Sequence, residues 1–195
     1  MEAGGPGPGR QRYLAGPGRV AGLFAPLPVS FLFRLFRPIP APSLLVPIRA
    51  FLADIGLETR ETRLRSPGFL PGLLIDNGRL LIDPARLQHP GDVLHEAGHL
   101  AVTPAAERAA LHGDITALHP ERAGDELAVM LWSYAACRHL GLPPEAVFHP
   151  GGYHGQSAWL LDNFRRGEFL GLPLLAWMGL TTAADFPAMT RWLRE

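Results

Sequence analysis

Residues 92–102 of this chain read DVLHEAGHLAV, and this stretch decides how the fold is interpreted. Its apolar and small residues predict a buried helix that follows the turn Pro90-Gly91 and has Asp92 as its N-cap. Positions i and i+4 lie on one face of a helix, so the imidazoles of His95 and His99 can reach one metal ion without bending the backbone. The stretch therefore predicts a metal site on one helical face.

Glu96 lies beside the first histidine, and the spacing His-Glu-x-x-His is the one that zinc hydrolases use. A carboxylate in that position can take a proton from a water at the metal and later deliver it to a leaving group. Gly98 costs about 1 kcal/mol of helix propensity relative to alanine, a cost that close packing against another element would explain. The alternative is an ordinary core helix whose two histidines are satisfied without a metal.

A catalytic zinc ion usually takes three ligands from the protein, so a third ligand is expected downstream. Glu126 opens a second helix, residues 125–140, which is apolar nearly all round and stops at Gly141. A carboxylate at the start of a core helix needs a partner, and zinc would supply one. Asp125 competes for the ligand role but is better explained as the N-cap. Glu126 itself can instead interact only with the helix N-terminus, which is worth roughly 0.3–1 kcal/mol.

Together, His95, Glu96, His99 and Glu126 resemble the gluzincin-type metallopeptidases, and the nearest likeness is to the ImmA/IrrE-like group. The resemblance covers about residues 44–140. It implies a zincin-like domain that binds Zn²⁺ through both histidines and Glu126, with Glu96 as general base in the hydrolysis of a peptide bond. It also implies a compact, cytosolic bacterial protein, and several members of the group cleave a repressor protein.

The residues ahead of residue 92 predict a helix followed by a small antiparallel sheet. Residues 44–55 have a helical pattern, and a strand is expected at 58–65. Residues 73–75 and 79–82 flank Asn77-Gly78, the strongest short-range hairpin signal. The expected fold class is α+β, with the sheet packed on the active-site helix and further helices toward the C-terminus. The hairpin either only covers that helix or also offers a strand edge to an extended peptide.

Residues 147–157 form a second suggestive segment, because they combine glycines with two histidines and a tyrosine. A Tyr or His donor near zinc can stabilise the oxyanion that forms when water attacks a carbonyl, and Tyr153 and His154 are the candidates. The alternative is an ordinary turn with solvated side chains. The remaining pattern predicts helices at residues 157–166, 172–178 and 186–193, and it places three tryptophans in the core, Trp159, Trp177 and Trp192.

Composition indicates one small domain with a separate N-terminal segment. The chain has 195 residues, of which 47% are hydrophobic, and its formal net charge is zero. Residues 43–195 are long enough to bury a core, whereas residues 1–42 are rich in Gly and Pro and are expected to be flexible. The apolar run 20–36 is broken by prolines and an arginine, which argues against stable membrane insertion. A signal peptide is the alternative, although no convincing cleavage site follows.

Charge and cysteine content bear on partners and compartment. Arginines in the N-terminal segment can contact anionic lipid or nucleic acid, or the segment is only an upstream extension without function. No other feature suggests nucleic-acid recognition, so the expected partner is a peptide or protein substrate. The single cysteine, Cys137, cannot form an internal disulfide, which favours a reducing compartment and a cytoplasmic location.

The function predicted from the sequence is zinc-dependent hydrolysis of a peptide bond. Two alternatives keep the same residues in other roles. One is a zinc-stabilised sensor or regulatory module without proteolytic activity, and the other is a structural domain that binds no metal.

Overall fold

The computed structural model describes residues 41–65 and 70–195, so residues 1–40 of the expected flexible segment lie outside the described residues. The helices in the described part are α1 (Ala41–Asp54), α2 (Asp92–Val102), α3 (Ala105–Arg108), α4 (Ile115–Leu118), α5 (Asp125–His139), α6 (Ser157–Arg165) and α7 (Leu172–Trp177). The strands are β1 (Thr59–Glu61), β2 (Leu73–Asp76) and β3 (Arg79–Ile82). The expected α+β class is confirmed.

Helix α1 begins at Ala41, earlier than the expected residue 44, and ends at Asp54. Ile48 and Leu52 lie one turn apart on this helix and are fully buried, so one face of α1 packs into the core. Gly56 follows with a φ of +88°, a left-handed conformation that glycine adopts without steric cost. The chain can therefore turn sharply from α1 toward β1.

The predicted hairpin is confirmed in both strands and in its turn. Strands β2 and β3 pair antiparallel, with Leu74 opposite Leu81 and Asp76 opposite Arg79. The turn residues Asn77 and Gly78 have φ values of +49° and +75°. Positive φ at both central positions is the geometry of a type I′ hairpin turn, and Asn-Gly is the dipeptide that strongly favours this turn.

The sheet is mixed, so the prediction of a wholly antiparallel sheet is wrong. Its strand order is β1-β3-β2, and β1 pairs with β3 in parallel. The strand expected at 58–65 is also shorter, because it ends at Glu61. Beyond that residue, the backbone N–H of Leu64 donates to the carboxylate of Asp83 at 3.1 Å. This N–H therefore bonds to a side chain and not to a neighbouring strand.

The outer edge of β2 is occupied by the chain segment that follows α3. Gly113 N–H donates to the carbonyl oxygen of Ile75 at 2.9 Å, and Gly78 N–H donates to that of Leu111 at 3.1 Å. A peptide cannot add to β2 at these positions while the segment is in place. Strands β2 and β3 contact α2, so the role that the structure gives the hairpin is to cover that helix.

Helix α5 is central to the core, as predicted from its apolar sequence. Residues 131–137 are all buried, and they include the single cysteine, Cys137. The Nε1 of Trp132 donates to the carbonyl oxygen of Trp192 at 2.9 Å, which fixes the C-terminal segment across the helix. The helix ends before Gly141, whose φ of +65° is the expected stop signal.

The helix predicted at residues 186–193 is absent from the described structure, where this segment consists of turns and bends. Its backbone bonds to other parts of the chain instead: Thr190 N–H donates to the carbonyl of Leu180, and Arg194 N–H donates to that of Ala101, both at 2.9 Å. Tertiary hydrogen bonds have therefore replaced the local i to i+4 bonds of a helix.

Two of the three tryptophans assigned to the core lie at the surface. Trp159 is 50% exposed and Trp177 is 72% exposed, whereas Trp192 is partly buried against the rings of Phe51 and Trp132. Aromatic content alone did not reveal which face of α6 and α7 points inward. Within residues 41–65 and 70–195, no helix combines the length and apolar character needed to cross a membrane.

Candidate metal centre

Helices α2 and α5 pack against each other closely enough to bring residues from both into one site. Gly98 provides the close approach, because a side chain there would collide with Val129 of α5. The hydroxyl of Ser133 lies in the same interface, 2.8 Å from the carbonyl oxygen of Val129 and 3.3 Å from that of Leu94. These contacts explain why a glycine is used in the middle of α2.

The three predicted ligands converge at the end of this interface. Nε2 of His95 lies 3.5 Å from one carboxylate oxygen of Glu126, and Nε2 of His99 lies 3.6 Å from the other. One ligand atom from each of these residues lies within 4.8 Å of the others. In the described part of the chain this is the group of side chains that can hold a metal ion.

Both histidines are in the form that binds metals. Burial, with a smaller contribution from His99, lowers the pKa of His95 to about 3. Burial also lowers the pKa of His99 to about 4, against a small opposing effect of Asp114. Each imidazole is therefore neutral near pH 7 and offers a lone pair to a metal ion.

Within the described residues, neither Glu96 nor Glu126 forms an ion pair with an arginine. Burial raises the pKa of Glu126 to about 7, and the charge of Asp114 adds to the effect. Burial raises the pKa of Glu96 to about 8, assisted by Glu126, Asp114 and Asp92. A cation would stabilise a site in which these four acids, Glu96, Glu126, Asp92 and Asp114, lie near two neutral histidines. The donor set of two histidine nitrogens and one carboxylate is one that zinc accepts.

Glu96 is close to the ligand group but does not belong to it. Glu96 is half-buried on α2 and lies between the two histidines in the sequence. The charge of Glu126 contributes to its raised pKa. A carboxyl group with a pKa near neutrality can both accept and return a proton at physiological pH. This placement is compatible with the predicted role of general base.

A small cavity borders the site on the side of α4. It is lined by His99, Thr103, Ile115, Arg122 and Glu126, among others, and its volume is about 10 Å³. That space is enough for roughly one water molecule. The ligand group therefore has room for water beside it.

The two predicted oxyanion donors lie in different surroundings. The hydroxyl of Tyr153 is half-buried and lies 3.1 Å from Nδ1 of His95. His154 is exposed, and both residues have positive φ values, +51° and +53°. Burial and the neighbouring carboxylates raise the pKa of Tyr153 well above its ordinary value, so its phenol stays protonated. Their part in catalysis stays a prediction.

Comparisons of the chain with protein families, with curated proteins and with solved structures found no match. What the structure itself shows is that His95, His99 and Glu126 could together hold a metal ion.

The structure also contains contacts near the site that the sequence did not reveal. Nε2 of His149 lies 3.0 Å from Oδ1 of Asp92, and the ring of His149 stacks on that of His89 with 3.6 Å between centroids. Asp92 and His149 are far apart in sequence, so no local pattern indicates their pairing. Gly91 was the available signal, since a Cβ there would lie 1.9 Å from the carbonyl oxygen of Ala146, and the start of α2 therefore packs tightly on the segment just before His149.

The capping roles assigned to two aspartates are wrong. Gly91 precedes α2 and Gly124 precedes α5, both with helical backbone angles and neither with a side-chain cap. Asp92 and Asp125 are instead the first residues of their helices. Asp92 is engaged by His149 rather than by the helix N–H groups. Glu126, and not Asp125, belongs to the ligand group.

Proposed function

We propose that this protein is a zinc-dependent hydrolase of peptide bonds. The observation that carries the proposal is the convergence of His95, His99 and Glu126, with Glu96 next to them and outside the ligand group. The same residues support a zincin-type fold of the ImmA/IrrE-like kind as the proposed family. We further propose a cytoplasmic location, which the buried and unpaired Cys137 supports.

Three protein ligands leave a position free for water or substrate, which is the arrangement of catalytic rather than structural zinc sites. A bound Zn²⁺ would supply a Lewis acid and lower the pKa of water from 15.7 to about 7. The histidines would hold the ion as neutral ligands, and Glu126 would bring a negative charge from α5.

Glu96 would act as the proton carrier of the reaction. Its carboxylate takes a proton from the attacking water and passes it to the leaving amine. Tyr153 and His154 are proposed to donate hydrogen bonds to the carbonyl oxygen as it becomes negative. The Tyr153 phenol can do so while it accepts a bond from His95, because its own O–H proton stays free.

The size of the cavity favours a second candidate function. About 10 Å³ beside His99 and Glu126 accommodates a water molecule but no substrate side chain. A zinc-stabilised sensor or regulatory module, which needs no substrate pocket, fits this observation. The partner of such a module would bind its folded, zinc-bound state.

Substitution of Glu96 by Gln distinguishes the two functions. Zinc-loaded wild type and Glu96→Gln would be incubated with internally quenched peptides of randomised sequence, with Glu145→Gln as the control. Glu145 is exposed and pairs with Arg165, so its change should affect nothing. We expect wild type and the control to hydrolyse the peptides. Glu96→Gln should bind as much zinc as wild type but should not hydrolyse them. No hydrolysis by zinc-loaded wild type would contradict the peptidase and favour the sensor.

A further inference from the structure

The imidazole of His95 has a partner on each of its nitrogens. Nε2 faces Glu126 at 3.5 Å, and Nδ1 lies 3.1 Å from the hydroxyl of Tyr153. The two rings meet edge to face, with an interplanar angle of 85° and 5.5 Å between centroids. His95 is thus held between the ligand group and a tyrosine from a distant part of the sequence.

The chemistry of imidazole gives this contact a direction. A neutral imidazole carries one proton, so a lone pair on Nε2 requires the proton to be on Nδ1. That N–H needs an acceptor, because the ring is largely buried, and the Tyr153 oxygen is in position to accept. A partner of this kind selects the tautomer of a ligand histidine and fixes the orientation of its ring.

The segment that carries Tyr153 is fastened to the same helix as His95. His149 contacts Asp92 at 3.0 Å, and Asp92 lies one turn ahead of His95 on α2. The Ser157 hydroxyl donates to the carbonyl oxygen of His149 at 2.6 Å and so closes the far end of the segment.

The tyrosine ring is supported as well. It stacks on Phe148, with 5.0 Å between centroids and an interplanar angle of 27°. Tyr153 and His154 adopt left-handed backbone angles, which cost non-glycine residues of order 1 kcal/mol or more unless the surroundings hold them in place. Packing and hydrogen bonds at both ends provide that support.

We propose that Tyr153 is a positioning residue for the metal ligand His95, and that the His149–Asp92 contact holds the tyrosine in place. The phenol oxygen accepts the Nδ1 proton and leaves the Nε2 lone pair directed toward Glu126. This inference rests on the proposed metal centre, and it assigns Tyr153 a function that does not require catalysis.

The test compares the zinc affinity of wild type, Tyr153→Phe and Tyr134→Phe by competition with a chromophoric chelator. Tyr153→Phe removes the hydroxyl and keeps the ring on Phe148. Tyr134 is the matched control, since it is a buried tyrosine whose ring packs on Phe164 and Phe169. Loss of an orienting partner should weaken zinc binding about 10- to 100-fold in Tyr153→Phe and leave Tyr134→Phe unchanged.

A second readout follows the tautomer itself. Long-range ¹H–¹⁵N spectra of the zinc-loaded protein should show a protonated Nδ1 on His95, with a slowly exchanging proton in wild type and a fast one in Tyr153→Phe. A third variant, His149→Leu, removes the contact with Asp92. His149→Leu should also lower the zinc affinity, by a factor no larger than that of Tyr153→Phe.

The outcomes separate this inference from the proposed function. Wild type that binds no zinc would overturn both. If wild type binds zinc and the zinc affinity of Tyr153→Phe is within about twofold of it, the inference alone is overturned. The reason is that loss of an orienting partner should lower zinc affinity at least about 10-fold.

Discussion

Gly98 of α2 faces Val129 of α5 at a distance that excludes any side chain: a Cβ atom on Gly98 would lie 2.9 Å from Cγ1 of Val129 and 3.3 Å from its carbonyl oxygen. The next residue in α2 is His99, and Glu126 lies one turn before Val129 in α5. The close approach of the two helices is therefore what lets a histidine of one meet the carboxylate of the other.

Gly98→Ala is predicted to destabilise the protein although alanine is the better helix former. Overpacking costs about 1–3 kcal/mol, against a gain in helix propensity of about 1 kcal/mol. Zinc affinity should fall as well, because Val129 must shift and Glu126 shifts with its helix. Urea denaturation of the metal-free protein and a zinc titration would measure both effects.

The matched control for that substitution is Gly124→Ala. A Cβ at Gly124 meets nothing within 4 Å, and the backbone angles of Gly124 are helical, with φ −66° and ψ −27°. It should be neutral, or stabilising by about 0.4–1 kcal/mol. Equal effects of the two alanines would show that the α2–α5 contact is not tight at Gly98.

The metal-free protein is predicted to lose stability as the pH rises through 7 and 8. The folded state raises the pKa of Glu126 from 4.5 to about 7 and that of Glu96 from 4.5 to about 8, so it binds protons that the unfolded chain has already released. Stability from these groups is full below pH 4.5 and disappears as the pH rises through the folded values. The melting temperature should therefore fall between about pH 6.5 and 8.5.

The histidines affect a different pH range. His95 and His99 have folded pKa values of about 3 and about 4, below their ordinary 6.5, so their contribution is full above 6.5 and is lost as the pH falls toward 3. Above pH 6.5 only the carboxylates act. The variant Glu96→Gln/Glu126→Gln should show no decline there, and a decline as steep as that of wild type would contradict the assignment.

Zinc affinity is predicted to rise with pH up to about 7 and then to level off. Glu126, with a pKa of about 7, must release its proton before it can bind the ion, whereas both histidines are already neutral. Release of one proton corresponds to about a tenfold gain in affinity per pH unit. Competition titrations between pH 5 and 8 would measure the slope, which Glu126→Gln should abolish.

Arg108 is predicted to stabilise the C-terminal end of α2. Its guanidinium donates to the carbonyl oxygens of Leu100 (2.9 Å), Thr103 (3.1 Å) and Arg194 (2.7 Å). One hydrogen bond from a charged donor is worth about 1.5–3 kcal/mol, so Arg108→Leu, which removes three, should lower the free energy of unfolding by at least about 1.5–3 kcal/mol. Arg165→Leu, which breaks an exposed ion pair with Glu145, should change it by less than about 1 kcal/mol.

The parts of the structure that the sequence predicted correctly depend on local periodicity and turn chemistry. The i, i+4 spacing of His95 and His99 places both rings on one face of any helix, and Asn77-Gly78 favours positive φ wherever it occurs. Glu126 could be chosen because a carboxylate at the start of an apolar helix needs a partner. Each of these inferences uses residues within a few positions of one another.

The wrong predictions concern contacts between distant residues. The parallel pairing of β1 with β3 depends on the path of the chain between them, and the exposure of Trp159 and Trp177 depends on how their helices dock. The partner of Asp92 is 57 residues away, at His149, and nothing around Asp92 distinguishes this role from a helix cap. Such pairings are set by the tertiary fold.

The central claim is that His95, His99 and Glu126 bind zinc, and the most direct test is elemental analysis of the purified protein beside His95→Ala/His99→Ala. We predict one zinc ion per chain in wild type and none in the variant. Zinc at 100 times its dissociation constant should add about 2.7 kcal/mol to the stability of wild type only. No zinc in wild type after incubation with the metal, or equal zinc in both proteins, would contradict the account.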